Sequence, residues 1–175
     1  MKLIAGLGNS RERYEGTRHN AGLMAVRWLA MHWRLESDWV RSIHHAQAYI
    51  ARITEPDVLL AQPTTMMNES GRAIRALMDY YKIPVSDLII IHDDADLKLG
   101  EIKKTDSTTT GAGHHGVLSV IEHVGPGFKR IRIGIGRPQQ PMRDISGYVL
   151  GRLSPGEKDV LEQALASRLE QLLDC

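Results

Sequence analysis

Cysteine is almost missing from this sequence of 175 residues: there is one, Cys175, at the last position. That excludes a disulfide framework and a thiolate zinc cluster, and a nucleophile on a terminal residue has little to hold it in place. No apolar run approaches the roughly 18 residues of a membrane span. Gly6, Gly8 and Asn9 interrupt the N-terminal apolar stretch too early for a signal h-region, so a cytoplasmic chain with no membrane partner is expected. Gly-x-Ser-x-Gly is absent, which leaves the usual serine-hydrolase elbow unsupported. A dinucleotide fingerprint starts at Gly6-Leu-Gly8, but its third glycine falls on Arg11 and no acid follows at the required distance. Gly111-Ala-Gly113 follows a polar stretch, not a buried strand. Neither glycine pair supports a nucleotide cofactor.

What is present fits one globular domain over residues 1–175, with room for a real core. Net charge is only +1, but it is unevenly spread. From Lys98 to Arg152 nine bases (Lys98, Lys103, Lys104, Lys129, Arg130, Arg132, Arg137, Arg143, Arg152) face four acids (Glu101, Asp106, Glu122, Asp144), a surplus of five. That surplus reads either as a solvated face or as the footprint of a polyanion such as RNA.

Lys2 to Asn9 reads as a buried strand and a turn, and Ala21 to about Trp33 has helical apolar spacing. Ala48–Ile53 and Val58–Ala61 read as strands joined by the turn Glu55-Pro56-Asp57. Asn68 can cap a helix whose inner face is Ala73, Ile74, Leu77, Met78 and Tyr81. Leu88–Ile91 is an apolar, β-branched run suited to a central strand; it ends in His92-Asp93-Asp94-Ala95-Asp96. Thr105 to Gly113 reads as a loop, Val117 to Val124 as a helix, and Arg130 to Gly136 as a strand with one wet side. Ser154-Pro-Gly-Glu157 is a capping box opening a helix that carries Leu161, Leu165, Leu169 and Leu172. Strands interleaved with helices predict an α/β fold around one sheet.

Two places can carry chemistry. Acids at the end of a central strand project into the crevice where α/β proteins bind ligands. With His114 and His115 they can hold a divalent metal, or they can be a plain surface loop. The second place is the stretch Arg18-His19-Asn20, which puts a cation, an imidazole and an amide at a helix entrance. His19 acts as a base only if a carboxylate fixes its tautomer, and Asp93 is the best-placed acid if the first strand neighbours the 88–91 strand. Asn9, at the first strand's exit, and Asn68 then ring the same crevice. A histidine, a carboxylate and two amides are equipment for activating water and orienting a carbonyl without a covalent nucleophile. Arg18 is expected to fasten the segment to a buried carboxylate or to carbonyls, and Asn20 to cap the helix that follows.

"GLGNSRERYEGTRHNAG", "QPTTMMNESG", "HDDADLKLG", "GAGHHG" and "RIRIGIGRP" together resemble, in order, the signature segments of bacterial-type peptidyl-tRNA hydrolases, from Lys2 to about Leu153. The resemblance implies a single-domain, monomeric α/β protein with a mixed, twisted sheet flanked by helices. It implies hydrolysis of the ester between a peptide and the terminal ribose of tRNA, recycling tRNA from aborted translation, with no cofactor or metal. Carried over, His19 is the general base, Asp93 keeps it basic and oriented, and Asn9 distinguishes blocked peptidyl from free aminoacyl groups. Tyr14, Met66, Met67, Asn68, His114 and His115 meet the tRNA end or the peptide backbone, while Lys103, Lys104 and Arg132 meet phosphates.

The sequence departs from that pattern in places. Asn9-Ser10-Arg11 stands where the family has Asn-Pro-Gly, and Met66 where an aromatic is common. His115 replaces an asparagine, so an imidazole substitutes for an amide that both donates and accepts. Thr105 replaces a base, and the sequence ends at Cys175, ahead of the family's usual C-terminal extension. These departures imply altered tRNA engagement, and the changes at His115 and Thr105 favour the alternative of a non-catalytic RNA-binding paralogue on the same fold. The intact His19, Asp93, Asn9 and Asn68 set opposes it.

Overall fold

The computed structural model describes residues 1–35, 38–42, 46–106, 113–138 and 145–173. Gly111, Arg143, Asp144, Cys175 and the 107–112 part of the expected loop lie outside the described residues. In chain order the elements are β1 (Lys2–Gly6), α1 (Ala21–His32), β2 (Val40–Arg41), β3 (Ala48–Ile53), β4 (Val58–Pro63), α2 (Ser70–Tyr81), β5 (Leu88–Asp94), β6 (Ile102–Asp106), α3 (His115–Val124), β7 (Lys129–Gly134), α4 (Ser146–Val149) and α5 (Pro155–Ala164). Single helical turns at Arg18–Asn20 and Met67–Glu69 lead into α1 and α2. Among the described residues no helix is long and apolar enough to cross a membrane.

The seven strands form one mixed sheet in the order β2-β3-β4-β1-β5-β7-β6. β4, β1, β5 and β7 run parallel, while β3 pairs antiparallel with β4, β2 with β3, and β6 with β7. Alternation along β1 sends Ile4 to one face and Leu3 and Ala5 to the other. Ile4 joins Val26 and Leu29 of α1 and Leu161 of α5; Leu3 and Ala5 join Ile74 and Leu77 of α2 and Val117 and Val120 of α3. Continuous apolar strands between two helical layers are the expected pattern for a parallel sheet covered on both sides.

Two expectations fail here. Thr105 is not in a loop: it lies in β6, opposite Arg130 of β7. The wet side expected for β7 is largely enclosed: Arg130 is only 8% exposed, Arg132 pairs with Asp94, and Gly134 lies against the Lys98 backbone. The capping box at Ser154 and Glu157 forms as expected; Leu161 of α5 is buried, as are Leu165 and Leu169 in the wider helical segment Leu165–Leu169 that continues it.

β1 and β5 are neighbours, paired from Leu3↔Leu88 to Gly6↔Ile91, so their carboxyl ends lie side by side. α1 reaches this end closely because residue 22 is glycine. A Cβ there would lie 2.6 Å from the Leu7 carbonyl oxygen and nearer still to that of Ile91. Gly22→Ala is therefore expected to lower unfolding free energy by about 3 kcal/mol, since backbone on both sides cannot yield; urea unfolding measures this, and an unchanged midpoint would show that α1 has room to shift.

Candidate active site

The segment from Arg18 to Asn20 hangs His19 over the end of β5, where Asp93 is the penultimate residue. Nδ1 of His19 is 2.9 Å from both carboxylate oxygens of Asp93. Asp93 also receives His114, whose Nε2 is 2.9 Å from Oδ1. The carboxylate is 3% exposed, and the two imidazole side chains 13% and 9%. One buried acid therefore serves two histidines from opposite sides of the sheet's end.

The tautomers follow from the hydrogen bonds. His114 occupies the N-cap position of α3, and its Nδ1 accepts the Val117 N–H at 3.3 Å. In the neutral ring the proton must then sit on Nε2, where it is donated to Asp93. His19 donates its Nδ1 proton to the same carboxylate, which leaves Nε2 as its lone-pair nitrogen. Burial alone would raise the Asp93 carboxyl, but the His114 and His19 imidazoles outweigh it and hold the group well below the usual carboxylate range.

A third imidazole lies behind these. His92 is 2% exposed, its Nδ1 is 2.8 Å from the Asp93 carbonyl oxygen, and its ring meets that of His114 edge-on at 4.7 Å. Among the described residues its Nε2 has no partner. Burial, with His114 adding to it, pushes the His92 imidazole down to about 3, so the ring is neutral and gives its Nδ1 proton to that carbonyl. Unfolding restores an ordinary value of about 6.5. The unfolded chain then binds a proton that the folded chain refuses, so His92's contribution to stability is lost as pH falls from 6.5 towards 3. Between pH 7 and pH 4 that loss is roughly 3 kcal/mol, and His92→Gln is expected to flatten the pH dependence of the urea midpoint by a corresponding amount. Parallel pH curves for the two proteins would contradict this.

Asn9 is 4% exposed and tightly held. Its backbone N–H donates to Asn20 Oδ1 at 2.8 Å, while Asn20 Nδ2 donates to the carbonyls of Asn9 (3.0 Å) and Tyr14 (2.9 Å). The Met67 N–H donates to Asn9 Oδ1 at 2.9 Å, so the Asn9 amide NH₂ is the group left for a ligand. Asn20 was expected to cap α1. It stands at the N-cap position but makes no capping bond, because its amide braces the β1 exit loop instead. Asn68 does not cap α2 either: it lies one residue earlier, within the Met67–Glu69 turn, Glu69 holds the N-cap position, and the exposed Asn68 side chain lines the cleft.

A cleft of about 630 Å³ opens over this cluster, a size suited to a small ligand or the end of a larger one. Asn9, Tyr14, His19, Met66, Met67, Asn68, Asp93, His114 and His115 line it together. Its other wall, which the sequence did not point to, is Ile145, Ser146, Val149 and Leu150, in and around α4. Lys103, Lys104 and Arg132 do not line it. Arg132 Nε donates to Asp94 at 2.6 Å and Lys103 pairs with Glu101 at 2.6 Å. The local basic surplus is smaller in three dimensions than along the chain. Asp94 and Asp96, just outside the counted stretch, pair with Arg132 and Arg137, and Asp106 pairs with Lys129.

The metal reading can be tested on distances. His19, Asp93 and His114 offer ligand atoms within 4.8 Å of one another, a different trio from the acids and histidines first considered. A transition-metal ligand nitrogen needs a bare lone pair about 2.0–2.1 Å from the ion. Here both nitrogens are already at hydrogen-bond distance from one carboxylate, and the α3 cap keeps His114 Nε2 protonated. The arrangement fits a hydrogen-bonded triad better than a metal site.

The sequence pattern of one family, described as peptidyl-tRNA hydrolase, matches residues 3–175. The chain belongs to the peptidyl-tRNA hydrolase family. It is 42% identical over 171 residues to the peptidyl-tRNA hydrolase of Bacillus pumilus, covering 97% of this chain and 89% of that one. With the Listeria monocytogenes peptidyl-tRNA hydrolase it shares 39% identity over 175 residues, covering 99% and 91%. The crystal structure of peptidyl-tRNA hydrolase from Acinetobacter baumannii superposes with a TM-score of 0.84 at 33% identity, over 99% of this chain and 88% of that one. The mixed α/β sheet is thus the fold of peptidyl-tRNA hydrolases.

Proposed function

We propose that this protein hydrolyses the ester between a peptide and the terminal ribose of tRNA, as a cytoplasmic monomer that recycles tRNA from aborted translation. The observation that carries the reading is the His19–Asp93 pair at the floor of an open cleft ringed by amides, in a chain of this family. Water bound at His19 Nε2 gives up a proton to that nitrogen as its oxygen attacks the ester carbonyl. The imidazolium formed keeps its Nδ1–H on the ionised Asp93, which offsets the new charge. The carbonyl oxygen becomes an oxyanion, and the free Asn9 amide NH₂ is the donor suited to it. Collapse breaks the bond to the ribose oxygen, which takes the proton back from Nε2. The products are a peptide acid and tRNA with a free terminal hydroxyl, and His19 is neutral again.

Asn68 and His115, both exposed in the cleft, would bind the peptide backbone, and Tyr14 and Met66 the terminal nucleotide. Arg132, Lys103 and Lys104 would reach phosphates further along, Arg132 by sharing itself with Asp94. Such contacts give affinity with little sequence choice.

The test is release of tRNA from an N-acetylated aminoacyl-tRNA by the purified protein in the presence of a chelator. Turnover of the blocked substrate, with the unblocked one cleaved far more slowly, is the expected result. Binding without release would replace this reading with that of an RNA-binding relative.

A further inference from the structure

Arg18 precedes the base but does not line the cleft. Its Nη2 donates to both carboxylate oxygens of Glu157, at 2.7 and 3.0 Å, and its Nη1 to the Arg152 carbonyl at 3.1 Å. The guanidinium lies over the Tyr148 ring, 4.5 Å from its centroid. The backbone follows the same line. The Arg18 N–H donates to the Gly151 carbonyl at 3.0 Å, Leu153 donates to Gly16 at 2.9 Å, and Thr17 and Arg152 form an antiparallel bridge. A Cβ at Gly151 would sit 3.0 Å from Nη1, so the guanidinium lies flush on the main chain there.

Both far ends of this set are themselves anchored. Glu157 accepts the Ser154 N–H at 2.7 Å in the capping box of α5. Tyr148 donates its hydroxyl to the Ile135 carbonyl at 2.8 Å. Tyr148 itself belongs to α4, a single turn with no fully buried residue, flanked by Ile145 and Leu150 at 42% and 40% exposure. A lone turn has little stability of its own, yet this one supplies the cleft wall of Ile145, Ser146, Val149 and Leu150. His19 is secured separately, by Asp93.

We propose that Arg18 is a positioning residue that clasps the α4 wall to the His19 segment and thereby sets how firmly the cleft holds the peptidyl end of its substrate. This rests on the hydrolase reading above. A forked, planar cation suits the task, because it pairs bidentately with Glu157 while stacking on Tyr148; lysine cannot do both.

The test compares Arg18→Met, Arg18→Lys and Glu157→Gln with wild type, by steady-state cleavage of an N-acetylated aminoacyl-tRNA and by amide hydrogen exchange. Glu157→Gln retains an acceptor for Ser154, so α5 stays capped. In Arg18→Met the KM rises about tenfold, while kcat stays within about twofold because His19 keeps its carboxylate. Arg18→Lys and Glu157→Gln fall between Arg18→Met and wild type. Joining Glu157→Gln to Arg18→Met adds nothing further to the KM, since the same contact is already gone. The Val149 and Leu150 amides, bonded to the Ile145 and Ser146 carbonyls at 3.1 Å each, exchange faster in Arg18→Met, while those of α3 do not change. An unchanged KM in Arg18→Met, or α4 amides that exchange as in wild type, overturns the clasp. A wild-type protein that cleaves nothing removes the hydrolase reading instead, and exchange in α4 then decides the clasp alone.

Discussion

Replacing His19 with alanine lowers kcat on an N-acetylated aminoacyl-tRNA by about three orders of magnitude, the range for a positioned general base. The fold survives, because the ring lies on the cleft floor and is no part of either hydrophobic cluster beside the sheet. Circular dichroism should therefore match wild type, while the urea midpoint falls modestly, because the buried Asp93 carboxylate loses one of its two imidazole donors. The residual rate comes from the amide donors, which still meet the oxyanion when water attacks unaided. KM moves little, since the imidazole acts on water and not on the bound peptide. A variant that keeps near-native turnover would mean that another group takes the proton, and Asp93 would then lose its assigned purpose.

Asp93→Asn is expected to lower kcat by about two orders of magnitude or more, for a reason specific to this cluster. His114 cannot change tautomer without opposing the Val117 N–H, so it claims the one amide oxygen with its Nε2–H. The amide NH₂ is left facing His19 Nδ1 and must be met by a lone pair there. That moves the His19 proton to Nε2, where no base remains. An asparagine variant that keeps near-wild-type kcat would count against the assignment. In the wild type the depressed Asp93 carboxyl adds stability that is present above about pH 4 and lost as pH falls below it, and the asparagine variant lacks that component.

Much of the frame could be read from the chain. The apolar run Leu88–Ile91 is a central strand, and its neighbour is β1, the pairing on which the His19–Asp93 contact depends. Elements with one dominant local signal were legible: the Ser154–Glu157 box, the helix behind His19, the hairpin of β3 and β4. β6 was not, because an edge strand buries one row only and Ile102 is its single buried residue. Caps were misjudged where a long-range partner outbid the local one, as with Asn20, whose amide serves residues 9 and 14. The reverse holds for His114, which caps α3 although histidine is no usual cap. Arg18 was expected to reach a buried carboxylate or carbonyls; it meets the Arg152 carbonyl and an acid that is only half-buried. Its acid, Glu157, is 139 positions away, and nothing local in the sequence singles it out beyond its role in the box. The α4 wall carries no chemical signature at all; only the fold brings it to the cleft.

The central claim is that Asp93 receives a hydrogen from each of two imidazoles, leaving His19 Nε2 bare for water. Histidine ¹⁵N shifts and nitrogen–proton couplings at pH 8, assigned by single substitution, read this directly. Two neutral rings of opposite tautomer are predicted, His19 protonated on Nδ1 and His114 on Nε2. A His19 ring protonated on Nε2 at that pH would contradict the account.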